Sequence, residues 1–146
     1  MAVSLSTSKV AKQIAAHFPG AVSEISDQAV MVKGESLFEV MEYLKNSQGL
    51  DFDYLTGVTA VDYYDYFELV YHLTSLQHNH SLVVKTRCQG RGNPVVPSVV
   101  SLWRGADFQE REIYDLVGIR FEGHPNLKRI FLWQGFEGHP LRKDYL

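Results

Sequence analysis

What is scarce in this chain narrows it first. Among 146 residues there is one cysteine, Cys88. A lone thiol closes no disulfide within the chain, which excludes a small secreted fold stapled by bridges. It also falls short of the four thiolates that hold a cysteine-ligated iron–sulfur cluster. No apolar run approaches the roughly 18 residues that a membrane-crossing helix requires, so membrane contact is expected only through partners. Charge of one sign is scarce too: 14 lysines and arginines stand against 17 acids, a net of −3. That balance gives no basic excess of the kind nucleic acid selects. Repeats, low-complexity tracts and long linkers are missing. The hydrophobic content of 45% and charged content of 21% are those of an ordinary globular chain, and the length suits one core.

What is present divides into three stretches. Residues 6–17 read as a helix, with Ser6 or Ser8 as cap, apolar Val10 and Ile14 at helical spacing, and Pro19-Gly20 as the stop. Residues 1–23 carry no acid and several serines, faintly like a transit peptide, but the absence of arginine favours a plain amphipathic helix. Residues 21–25 and 28–33 alternate around Ser26-Asp27 and read as a hairpin. Residues 35–48 return to helical period through Leu37, Val40, Met41 and Leu44, and Gly49 ends them. Then come three runs rich in β-branched and aromatic residues, 54–61, 67–75 and 81–88, joined by turns holding Asp62, Asp65 and Asn79. They predict an antiparallel meander. Residues 89–98 are a loop by their glycine and proline content, and 99–117 read as a third helix capped by Ser98 and stopped by Gly118. Beyond it, irregular chain is expected, with one short strand near 129–133. The order predicts an α+β fold of two layers, helices on a mostly antiparallel sheet. Residues 1–118 form the domain, and 119–146 its extended, irregular C-terminal tail, which docks a partner.

The candidate chemistry lies from residue 78 onward, most of it beyond residue 104. His78-Asn79-His80 falls at a strand turn, and Gly90-Arg91-Gly92-Asn93-Pro94 lacks the lysine and hydroxyl of a phosphate loop. Both read as plain connections. Glu110-Arg111-Glu112, followed by Asp115, could supply acid–base or metal carboxylates. On a helix Arg111 shares a face with Asp115, and its cation is expected to hold neighbouring carboxylates ionised and low in pKa. That suits ion pairing better than acid catalysis. His124 and His139 each precede a proline, Pro125 and Pro140, in Gly-His-Pro phrases 15 residues apart. Neither has a second ligand three or four residues away, as zinc sites usually do. A stand-alone metal-dependent hydrolase built on these histidines remains the alternative of a different class. From Arg104 to Asp144 seven bases balance seven acids, with aromatics interleaved. A balanced, aromatic, arginine-bearing surface suits a buried protein interface.

Several phrases together resemble one family. Glu110-Arg111-Glu112, Asp115-Leu116-Val117, His124, Lys128, Ile130 and Phe131 carry the spacing of its signature. Leu55 to Asp62, Glu68 to Leu76, Val96-Pro97-Ser98-Val99 and the closing Gly-His-Pro-Leu-Arg-Lys-Asp-Tyr extend it. The chain resembles the 30-kDa subunit of respiratory complex I, known as the C subunit in bacteria and the J subunit in chloroplast-type enzymes. Phe108 departs from the tryptophan often found there. The resemblance implies a non-redox structural subunit in the peripheral arm of a proton-pumping NADH:quinone oxidoreductase. It implies no catalytic residue, metal or cofactor in this chain, with iron–sulfur clusters and quinone held by partner subunits. The implied partners are the 49-kDa-type subunit near the quinone site and the cluster-bearing subunits. The implied location is the cytoplasmic side of a bacterial inner or thylakoid-type membrane. Related subunits occur in membrane-bound hydrogenases and in ferredoxin- or F420H2-linked complexes. The residues expected at the interface are Glu110, Arg111, Glu112, Asp115, His124, Pro125, Arg129, His139, Pro140, Arg142, Lys143 and Asp144. Arg111 and Glu112 are expected in buried ion pairs that fix the third helix and tail against the partner, and the isolated chain is expected to be poorly soluble or partly disordered after Gly118.

Overall fold

A computed structural model describes residues 3–89, 93–130 and 137–142. Strand β1 (Val3–Ser4) leads into helix α1 (Thr7–His17). Ser6 caps that helix by accepting from the Lys9 N–H, 3.5 Å away, which satisfies one of the orphan donors of its first turn. Val10, Ala11 and Ile14 form its buried stripe. The hairpin follows as β2 (Val22–Ile25) and β3 (Val30–Val32), paired antiparallel. A 3₁₀ turn at Gly34–Ser36 feeds helix α2 (Leu37–Asn46), which buries Leu37, Val40, Met41 and Leu44. The meander is β4 (Tyr54–Asp62), β5 (Tyr66–Ser75) and β6 (His80–Gln89), antiparallel throughout. Its turns use the expected chemistry: Asp62 Oδ1 accepts from the Tyr64 N–H at 2.8 Å, and Asn79 takes a φ of 53°.

The strands line up in the order β2-β3-β6-β5-β4, with β1 also against β6. Both β1 and β3 run parallel to β6. On β5 and β6 the side chains alternate strictly. Phe67, Leu69, Tyr71 and Leu73 join Leu82, Val84 and Cys88 in one core with the buried stripes of α1 and α2. On the other face, Glu68 lies 3.7 Å from both Lys85 and Arg87. One apolar face covered by helices and one charged face is the two-layer α+β arrangement predicted from the pattern.

Two features depart from the expectation. The third helix, α3, begins at Ala106 rather than Val99 and ends at Val117. Residues 99–105 instead make tight turns, with Leu102 and Trp103 N–H groups both on the Val99 carbonyl. Trp103 is buried among them, and its Nε1 donates to the Phe52 carbonyl at 3.0 Å. Apolar residues spaced three and four apart serve a turn as well as a helix, so the period overreached. The second departure lies in the loop of residues 89–98. It contains β7 (Val95–Pro97), which pairs parallel with β8 (Arg120–Glu122). This two-stranded piece ties the entry of the 99–105 turns to the exit of α3. Residues 129 and 130 form no strand, and the rest of the short strand expected near 129–133 lies outside the described residues.

Candidate functional site: a helix clasped by its own tail

Helix α3 carries four of the candidate residues, Glu110, Arg111, Glu112 and Asp115. Its axis lies beside β4, where Gln109 Oε1 accepts from the Val58 N–H at 2.6 Å. Glu110 points inward and is wholly buried. One of its oxygens accepts from the Ser98 hydroxyl at 2.6 Å, the other from the Val99 N–H at 2.9 Å. Ser98 therefore ties Glu110 instead of capping α3, whose N-cap is Gly105. Burial pushes the Glu110 carboxyl up to about 7, against the pull of those two donors, and Asp107 adds to the rise. Arg111 does not offset it, contrary to the expectation that this cation keeps the neighbouring carboxylates low. Its guanidinium turns outward to the Lys128 carbonyl at 3.1 Å and the Arg129 carbonyl at 3.5 Å, and its carbon lies 5.4 Å from the Phe108 ring centre. Near Glu110 lies the Tyr71 hydroxyl, buried and without a hydrogen-bond partner among the described residues. Burial, then the charges of Glu110 and Cys88, push its ionisation far up.

The C-terminal end of α3 is held by the tail. Gly118 adopts a φ of +89° and its N–H closes on the Ile113 and Tyr114 carbonyls. A helix leaves its last four carbonyls without internal donors. Here the tail supplies two. His139 Nδ1 donates to the Asp115 carbonyl at 2.9 Å, and the Leu141 N–H donates to the Leu116 carbonyl at 2.7 Å. Because a carbonyl only accepts, this bond requires the His139 proton on Nδ1, which then cannot also accept from the Arg129 guanidinium 3.3 Å away. The Asp115 carboxylate, fully buried, takes the Ile130 N–H at 3.1 Å on one oxygen and lies 3.6 Å from Arg129 Nε on the other. Arg129 also donates to the Gly138 carbonyl at 2.7 Å. The buried ion pair of this region is thus Asp115 with Arg129. Within the chain Arg111 holds carbonyls and Glu112 is exposed, so among the described residues neither is in a buried ion pair of its own.

The histidines do not converge. His124 Nδ1 accepts from the Asn126 N–H at 2.9 Å, which puts the proton on Nε2, 3.1 Å from Asp107 Oδ1. His124 therefore sits at the first turn of α3 and His139 at the last. Eight residues separate Asp107 from Asp115, about 12 Å along a helix. Among the described residues no three histidine, cysteine or acidic side chains gather where they could hold a metal. Pro125 is exposed, and Pro140 is half-buried in the turn before Leu141. The Arg142 guanidinium lies 5.2 Å from the Phe67 ring centre. Lys143 and Asp144 lie outside the described residues. Reading the sequence did not single out Asp107, Gln109 or Tyr71. Asp107 stands three residues before Glu110, a spacing that was available. Tyr71 carried no signal beyond its place in an apolar strand.

Comparison with known proteins shows what the chain is similar to. Residues 30–146 match the family described as respiratory-chain NADH dehydrogenase, 30 Kd subunit. The chain belongs to that family. Among its relatives, the second C subunit of the NADH-quinone oxidoreductase of Rhizobium meliloti (strain 1021) is 43% identical over 135 residues. The match covers 88% of this chain and 73% of the relative. Its namesake from Rhizobium etli (strain CIAT 652) is 44% identical over 117 residues, with 62% of its length covered. The C/D subunit of the NADH-quinone oxidoreductase of Phocaeicola vulgatus is 43% identical over 119 residues, which are 81% of this chain and only 22% of that one. Among solved structures, a chain of the membrane-bound sulfane sulfur reductase, an archaeal respiratory membrane complex, superposes with a TM-score of 0.75 at 26% identity. That match covers 94% of this 30-kDa-family chain and 84% of the other. Among the described residues, no helix is long and apolar enough to cross a membrane.

Proposed function

We propose that this 30-kDa-family chain is a structural subunit of the peripheral arm of an NADH:quinone oxidoreductase-type complex. In this reading it docks on the 49-kDa-type subunit near the quinone site, on the cytoplasmic side, and holds no redox centre. One observation carries the proposal. Most of the charged signature of the family is spent inside the chain, binding tail to helix: Asp115 meets Arg129, and Arg111 holds the carbonyls of residues 128 and 129. Asp115, Arg129 and His139 meet one another and the end of α3, so their effect is to fix the shape of a surface. The Phocaeicola vulgatus relative supports the choice of partner, since its name joins C and D. Clusters and quinone then belong to the other subunits.

A second reading has its own support. The solved neighbour comes from a membrane-bound sulfane sulfur reductase, so the same shape serves a complex of another acceptor. Purification of a tagged copy from its native membranes separates the two. The first reading predicts co-purifying cluster-bearing subunits and quinone reduction driven by NADH. The second predicts a similar set of chains that reduces quinone from no NADH. Recovery of the tagged chain alone, as a monomer, would falsify both.

A further inference from the structure

The sheet ends on β4, nine residues long and paired only with β5. A long edge strand presents unpaired backbone groups, and proteins usually cover or blunt such an edge. Here the cover is partial. Tyr63 donates to the Tyr66 carbonyl at 3.0 Å, which sets the phase of the antiparallel ladder. The hydrogen-bonded pairs are then Val61 with Glu68 and Thr59 with Val70. Val58 and Ala60 consequently direct their N–H and C=O groups off the sheet. Gln109 meets the first of these, taking the Val58 N–H at 2.6 Å. For Ala60 no described side chain plays that part. Between this edge and α3 runs a groove of about 240 Å³, lined by Val58, Ala60, Ile113, Leu116, Leu141 and Glu112. Leu141 is 63% exposed at its rim. Glu112, also exposed, has no cation beside it among the described residues.

We infer that this edge is an assembly site: an extended segment of a partner subunit adds to the sheet along β4. The ladder supplies backbone hydrogen bonds at Ala60, and the groove takes one apolar side chain between Ile113, Leu116 and Leu141. Glu112 selects a lysine or arginine beside that apolar residue. The occupant is a strand of another chain and not a second copy of this one. The segments of this chain with free edges are β2, β4, β7 and β8, and the last two are only three residues each. The short β2 is exposed and acidic at Glu24, and β4 would bring a second Glu112 against the first. Either would set like charges together, which destabilises a pair. The inference rests on the assembly role proposed above, and goes beyond it by naming the strand, the groove and the chemistry of what fills them.

Hydrogen exchange read at residues 58–62 tests it, in the isolated chain and in the purified complex. The Ala60 amide should exchange freely in the chain alone and at least about tenfold more slowly in the complex. Equal rates in the two states overturn the inference. In a second arm, Ala60→Pro removes the outward donor. An edge strand tolerates proline where the N–H faces away from the sheet, so the lone variant should keep its fold while its incorporation into the complex drops about tenfold. Glu112→Arg should weaken incorporation without changing the unfolding midpoint of the isolated chain. Wild-type assembly of both variants contradicts the strand-addition site while leaving the subunit role intact. Failure of the unaltered chain to assemble contradicts the subunit role itself. A dimer of the isolated chain that Ala60→Pro abolishes contradicts the choice of a heterologous occupant.

Discussion

Glu110 holds two donors on its two oxygens, yet burial raises its carboxyl from 4.5 to about 7. The folded chain therefore binds this proton more tightly than the unfolded chain does. The stabilisation is complete below the unfolded value, fades as the pH climbs towards 7, and is gone above it. The gap corresponds to about 3 kcal/mol. Glu110→Gln keeps an oxygen for the Val99 N–H and offers the Ser98 hydroxyl a donor. Urea unfolding should show the wild type losing stability between about pH 4 and pH 7 and the variant losing less. Parallel curves would speak against a buried, proton-holding Glu110. Gly118 is the other decisive residue. At its φ of +89°, an added Cβ would meet His139 Cδ2 at 2.7 Å. Gly118→Ala should cost at least about 1–2 kcal/mol from the left-handed backbone alone, with faster exchange at the Leu141 amide as the tail is pushed off. At this scale the sequence was half legible. Gly118 declared itself as a helix stop, but the outward turn of Arg111 did not, because a guanidinium among three carboxylates gives no hint that carbonyls will take it.

The elements were easier to read where one period dominated. Helix α1, the β2–β3 hairpin and the meander follow from strict spacing of apolar residues and from Asp and Asn at the turns. The start of α3 and the β7–β8 pair did not follow. Trp103 needs the Phe52 carbonyl, and β7 is a strand only because β8 lies beside it, two conditions set by distant chain. The tail is the element with the most at stake. Asp115 is buried against Arg129, and removing one member of such a pair costs about 3–5 kcal/mol. Arg111, by contrast, is partly exposed and holds only carbonyls, a contribution of about 1 kcal/mol. Asp115→Ala should therefore destabilise the chain several times more than Arg111→Ala, as measured by thermal unfolding. Limited proteolysis should cut the former sooner beyond residue 118. Equal effects would return Arg111 to the central place that its motif suggested.

At the scale of the whole molecule, membership of the 30-kDa family was legible from phrases that span the chain, while the use of their charges was not. Those charges close a loop within the chain: α3 runs out to Gly118, and the tail returns to cap it at Asp115 and Leu116. The surface that results is a fixed shape for partners to meet. Whether the signature shapes or reacts is decided by Asp115→Asn, which keeps the size of the side chain and removes its charge. Complex carrying the variant should be purified and its quinone reductase turnover counted per assembled particle. A structural signature predicts less assembled complex with unchanged turnover in each one. Full assembly with turnover lost would contradict it and make Asp115 part of the chemistry.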